Sequence, residues 1–217
     1  MRLQESSKGQ KLSDRLEFKR ARQVGATLSL QSPFRALGSI TMSDGTPDFP
    51  TPPHIVAAGQ KALAEGHTTY TAWTGLPQLP EAIADKLLRE NHIAVDPASE
   101  IVVTAEAQAG LLAIILALFD PGDELIVPVP FYEECLRNLM LAGARLTPVM
   151  TDRAHAFKLD PGAIEQAITP STKGILPVSP SNPTAAVFGM QPLQRIAEIA
   201  IRNDIVVISD ELYKRFV

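Results

Sequence analysis

The chain has 217 residues, is 45% hydrophobic and 20% charged, and carries a formal net charge of −4. That balance excludes a disordered chain, and the length suffices to bury a core without disulfide or metal staples. A pI near 5.6 argues against a dedicated nucleic-acid binder, and the single cysteine, Cys135, excludes an internal disulfide framework and a Cys-rich zinc site. One cysteine fits a reducing cytoplasm. The N-terminal stretch MRLQESSKGQKLSDRLEFKR is charged and lacks the apolar core of a secretory signal. The longest apolar run, Leu111 to Phe119, is too short to cross a bilayer. The expectation is a soluble, cytoplasmic protein with neither nucleic acid nor membrane as partner.

Residues 1 to 35 are polar, basic and weakly periodic, and read as an arm with a short helix near Leu12 to Val24. The stretch from Ser43 to Pro53 is too rich in proline and turn residues for regular structure. Its last prolines suit the start of a helix over Pro53 to Ala64, stopped by Glu65-Gly66. A loop from His67 to Leu76 precedes a helix over Pro77 to Asn91, with Leu79, Ile83, Leu87 and Leu88 on one face. From residue 101 the pattern becomes strand, turn, helix, repeated. Strands are expected at 101–104, 124–127, 146–149, 174–178 and 205–208. Helices are expected at 107–119, 132–142, 161–168 and 191–202. The helix at 107–119 is apolar on nearly all sides, which predicts burial all round. Strands that are apolar throughout must be covered on both faces. The fold class is therefore α/β, with a mostly parallel sheet and helices on both faces.

In such sheets ligands sit beyond the carboxyl ends of the strands. Three strand ends carry candidate chemistry. Thr104-Ala105-Glu106-Ala107-Gln108 joins a strand to a helix, where backbone amides can hold a phosphate. The plainer reading is that Thr104 caps that helix and Glu106 complements its dipole. Ser179-Pro180-Ser181-Asn182-Pro183-Thr184 is a stiff turn that holds Asn182, or simply a turn. Asp210-Glu211-Leu212-Tyr213 ends an apolar strand with carboxylates and a phenol; Asp210 alone also reads as a solvated acid. Tyr132 and Tyr70 taken singly are packing aromatics. His54, His67, His92 and His155 show no metal spacing.

The order of these segments changes the reading. Gly45-Thr46-Pro47-Asp48-Phe49-Pro50-Thr51-Pro52 and Tyr70-Thr71-Ala72-Trp73-Thr74-Gly75-Leu76-Pro77 come first. Pro121-Gly122-Asp123-Glu124 and Pro128-Val129-Pro130-Phe131-Tyr132 follow, then the Ser179–Thr184 and Ser209–Tyr213 segments. Together they resemble, in family order, the class I/II pyridoxal-phosphate aminotransferases of fold type I. The resemblance runs from about residue 40 to the last residue. It implies an arm or small-domain segment over 1–45 and part of a cofactor-binding large domain over 46–217. It also implies pyridoxal 5′-phosphate as cofactor, amino acid and 2-oxo acid substrates, and a homodimer. By matching position, Asp210 would meet the pyridine nitrogen, and Asn182 and Tyr213 the 3′ oxygen. Tyr132 would stack on the ring, and Ala105, Glu106, Ala107 and Gln108 would surround the phosphate. Tyr70 would reach the neighbouring subunit's phosphate, and Gly45 would lie near the substrate carboxylate.

The departures from the family pattern matter equally. Glu106 stands where the phosphate loop usually has glycine, Ala185 where glycine follows NPT, and Pro80 where arginine is common. A carboxylate at 106 should weaken phosphate binding. The family's Schiff-base lysine, in an S-x-x-K type segment, follows the DExY segment by some tens of residues, beyond Val217. Lys214 adjoins Tyr213 too closely to replace it, and Lys158 and Lys173 match no motif. The resemblance thus implies a polypeptide inactive as given, with no catalytic residue present. Two alternatives stay open: a lyase or synthase of the same fold, and a non-catalytic interaction domain.

Overall fold

The computed structural model describes residues 49–217. Gly45, the arm and the expected helix near residues 12–24 lie outside the described residues. The chain divides between Thr69 and Tyr70 into two compact units. The described part of the first is helix α1 (Pro53–Ala64) with its flanks. Proline at its first position is harmless, because that N–H has no acceptor within a helix.

The second unit opens with a loop and α2 (Gln78–Asn91). Pro80 is buried in the first turn of α2, again where no N–H is needed. Gly75 has φ 102°, and a Cβ there would sit 2.9 Å from the Cβ of Val103. Both facts require glycine at this position. Then follow α3 (Ala107–Leu118), β1 (Glu124–Val129), α4 (Glu134–Ala142) and β2 (Arg145–Met150). Next come α5 (Pro161–Gln166), β3 (Thr172–Ile175), α6 (Met190–Asn203) and β4 (Val206–Val207). Asp160 caps α5, its Oδ1 accepting from the Gly162 and Ala163 amides at 2.9 and 3.2 Å.

The four strands form one sheet in the order β2-β1-β3-β4, and every pair is parallel. Leu125 faces Leu146 on one side and Gly174 on the other; Ile175 faces Val207. Alternation along β1 sends its side chains to two cores. Leu125 and Val127 pack with Ile115 of α3 and with Cys135 and Leu139 of α4. Ile126 packs with Ile164 of α5, Ile196 of α6 and Phe188. Helices therefore cover both faces, as the apolar strands require. Each of these fully buried aliphatic side chains is worth about 1.5–3 kcal/mol relative to exposure.

The structure corrects several expectations. Ile101–Thr104 is not a strand. Its backbone meets the 70–76 loop through a bond from the Val103 amide to the Thr74 carbonyl at 3.1 Å. β-Branched residues favour a strand only where a ladder is available, and none is here. α3 is not buried all round: Ile115 is fully buried, but Ile114, Leu116 and Leu118 are exposed. β3 stops at Ile175, and Val178 instead makes a single parallel bridge to Asp210.

Candidate active site at the carboxyl edge of the sheet

The connection from β1 runs through α4 to β2 on one side. The connection from β3 runs through α6 to β4 on the other. The strand order thus reverses between β1 and β3, and ligands of open parallel sheets bind at such a reversal, beyond the carboxyl ends. The loops there carry Tyr132 after β1, Asn182 after β3 and Asp210 after β4.

Asp210 is held on both sides. Its N–H donates to the Pro177 carbonyl and its carbonyl accepts from the Ser179 amide, both at 3.0 Å. Its Oδ1 accepts from the Leu212 amide at 3.0 Å, and its Oδ2 has no hydrogen-bond partner among the described residues. Tyr213, half-buried, packs edge-on against Phe216. The single turn Lys214–Phe216 is tied to α2 by a 2.6 Å ion pair from Arg215 to Glu90.

Asn182 is half-buried, and its side chain has no partner among the described residues. Its loop is closed by bonds from Ser181 N–H to the Ala186 carbonyl and from Ala185 N–H to the Ser181 carbonyl, at 2.9 and 2.8 Å. The Phe188 amide donates to Ser179 Oγ at 3.0 Å. Ala185 has φ 57°, in the left-handed region that favours glycine. Tyr132 is 46% exposed. Burial, followed by the nearby carboxylates of Glu134, Glu133 and Glu106, pushes its phenol above the usual tyrosine range, against an opposing effect of Arg137. The phenol is therefore neutral, and the residue is partly open to solvent.

The first turn of α3 is tied to α4, the helix that follows Tyr132, by a bond from Asn138 Nδ2 to Gln108 Oε1 at 3.3 Å. No side chain caps α3. Thr104 is not the cap: its hydroxyl donates to the Glu106 carbonyl at 2.8 Å. Glu106 occupies the cap position with extended backbone, φ −164°, which any residue adopts, and its side chain makes no capping bond. Ala105, Glu106 and Ala107 are exposed and Gln108 is half-buried. The first amides of α3 are thus free to bind an anion.

Beneath the edge, burial and then the charge of Asp210 push the Cys135 thiol up to about 12. Tyr70 is fully exposed and is not gathered with the others. Sequence reasoning missed Asn138, which is 8% exposed and donates to Gln108 Oε1 at 3.3 Å. The available signal was its spacing: Cys135, Asn138, Leu139 and Ala142 form one helical stripe on which Asn138 is the polar member. A cavity between the ends of β1, β2 and β3, lined by Pro130, Phe131, Thr151, Val178 and Ser181, has a volume of about 10 Å³ and holds one water at most. A larger groove of about 250 Å³ on α2, lined by Glu81, Asp85, Leu88 and Val95, contains none of the strand-end residues. Among the described residues no helix is long and apolar enough to cross a membrane, and no cluster of ligands could hold a metal ion.

A parallel sheet with uncapped helix amides, a partly exposed tyrosine and a backbone-anchored carboxylate near its carboxyl edge defines an α/β protein with candidate ligand-binding groups at that edge. The chain belongs to the aminotransferase class I and II family, which matches residues 38–217. It is 38% identical over 178 residues to a probable aspartate/prephenate aminotransferase of Thermus aquaticus, covering 82% of this chain and 46% of the relative. It is 34% identical over 206 residues to the aspartate aminotransferase of Pyrococcus abyssi, covering 95% and 52%. Among solved structures, Thermus thermophilus aspartate aminotransferase with maleate superposes with a TM-score of 0.77 at 34% identity, covering 97% of this chain and 52% of that one. The aromatic aminotransferase of Pyrococcus horikoshii gives 0.81 at 35%, covering 89% and 51%. The chain spans about half the length of the relatives it matches.

The donor set suits pyridoxal phosphate in kind: uncapped amides at the start of α3 for a phosphate, the partly exposed Tyr132 ring for an aromatic face, and an Asp210 oxygen not engaged by Leu212 for a ring nitrogen. Glu106 is the discordant member, an anion where an anion would bind.

Proposed function

We propose that this chain carries the cofactor-holding part of an aminotransferase that moves an amino group from an amino acid to a 2-oxo acid with pyridoxal phosphate. The observation that carries the reading is the convergence of Tyr132, Asn182 and Asp210 on the carboxyl edge, beside the uncapped α3. When bound, the cofactor supplies the electron sink for the carbanion formed at the amino acid's α-carbon. The chain's residues bind and tune it. The amides of Ala107 and Gln108 hold the phosphate beside Ala105 and Glu106. Tyr132 covers one ring face and excludes water from it. Asn182 and Tyr213 hydrogen-bond the 3′ oxygen. The free oxygen of Asp210 keeps a proton on the ring nitrogen, because a nearby anion favours the charged form.

The same reading assigns Tyr70 to the phosphate of a partner subunit in a homodimer, Gly45 to the substrate carboxylate, residues 46–217 to the large domain, and the protein to the cytoplasm. Aspartate is the first donor to test, given the names of the relatives. Glu106 favours a second reading, in which the fold is retained for interaction and cofactor binding is weak. The test is transfer of label from ¹⁵N-aspartate to 2-oxoglutarate by the protein purified from its native cells, followed by NMR. Cofactor-dependent ¹⁵N-glutamate is the expected result. Bound cofactor with no transfer to any of a panel of 2-oxo acids overturns it, and loss of the donor's side chain or carboxyl group identifies a lyase or decarboxylase instead.

A further inference from the structure

We infer that Asn138 is a positioning residue that fixes the Gln108 side chain as a donor-only group for the cofactor's phosphate; the inference rests on the proposed reading of the site. A glutamine amide has an accepting end and a donating end, and rotation by half a turn exchanges them. Facing a phosphate, the two orientations have opposite effects, since the oxygen repels the anion and the NH₂ group binds it. Gln108 lies in the first turn of α3, among the amides left uncapped. Its Oε1 accepts from Asn138 Nδ2 at 3.3 Å. With the oxygen taken, only the NH₂ group remains to meet a ligand.

Asn138 suits this role because it cannot itself reach the solvent freely. It is 8% exposed and sits on the apolar stripe of α4, between the fully buried Leu139 and the core residue Cys135. A buried amide there is costly without a partner, so the bond to Gln108 is held in place by the desolvation of Asn138. An apolar residue would suit the packing of this stripe equally well. The polar choice therefore points to the group it touches.

The test compares equilibrium affinities for pyridoxal phosphate and for pyridoxal, which lacks the phosphate, in the wild-type chain and in variants. The ratio of the two isolates the phosphate contact. Asn138→Leu keeps the branched shape, removes the donor and frees the Gln108 amide to rotate. The expected result is a fall in the ratio of at least about tenfold, the lower end for one hydrogen bond to a charged group. Asn138→Asp accepts from Gln108 instead, turns its oxygen outward, and lowers the ratio further. In a Gln108→Lys background the site's donor needs no orienting, and Asn138→Leu then leaves the ratio unchanged. Equal weakening of both ligands, no change in the ratio, or a persistent effect in the Gln108→Lys background would each overturn the inference. A wild-type chain that does not prefer the phosphorylated form overturns the reading of the site itself, and the inference with it.

Discussion

The buried thiol of Cys135 offers a quantitative check on the packing beneath the site. Burial, then the charge of Asp210, moves it from 9.0 to about 12. The unfolded chain therefore loses this proton first. Its contribution to stability is intact below pH 9, declines as pH rises, and levels off above about 12. At pH 10 the difference amounts to about 1.4 kcal/mol, from linkage with these two values. The assay is urea unfolding at pH 7 and pH 10 for the wild type and Cys135→Ala. The variant starts less stable, because a small cavity replaces the sulfur. It should nevertheless lose about 1.4 kcal/mol less than the wild type between the two pH values, since all other titrating groups are shared. Thiol labelling gives the same answer by another route: at pH 8 the folded thiolate is about a thousandfold scarcer than in an ordinary cysteine. Equal pH slopes for the two proteins, or rapid labelling of the folded chain, would refute the reasoning.

Three further outcomes follow from particular contacts. Glu106→Gly removes the anion beside the open α3 amides, and affinity for pyridoxal phosphate should rise about threefold to tenfold at low ionic strength and less in high salt; a titration at two salt concentrations checks both. Ala185→Gly relieves a left-handed residue at φ 57° and should stabilise the fold by about 0.5–1 kcal/mol, read by denaturant midpoint. Gly174→Ala should destabilise it by about 1–3 kcal/mol, because the new Cβ would meet Leu125 Cδ1 and Phe119 Cζ at 3.0 Å each.

Much of this architecture was legible in the chain because its signals are local. The proline at the start of α1 and the alternating turn, strand and helix patterns after residue 120 mark elements whose residues carry their own instructions. The ordered strand-end motifs marked Tyr132, Asn182 and Asp210 for the same reason, since in a parallel sheet all carboxyl ends share one edge. What escaped depends on partners distant in sequence. Ile101–Thr104 has strand composition but no neighbour to pair with. Thr104 resembles a cap, yet the position is taken by Glu106 two residues later. The bond between Asn138 and Gln108 joins residues 30 positions apart, and only the packing of α3 on α4 reveals it. Gly174 is explained by Phe119 and Leu125, neither adjacent in the chain.

On the proposed reading, the carboxyl edge holds a pyridoxal ring with Asp210 at its nitrogen. The direct measurement is the ¹⁵N chemical shift of ring-labelled pyridoxal phosphate bound to the wild-type chain and to Asp210→Ala, at a pH where the free ring nitrogen is neutral. The expected result is a protonated nitrogen in the wild type and a neutral one in the variant. A neutral nitrogen in both, or a protonated nitrogen that survives the loss of Asp210, would contradict it.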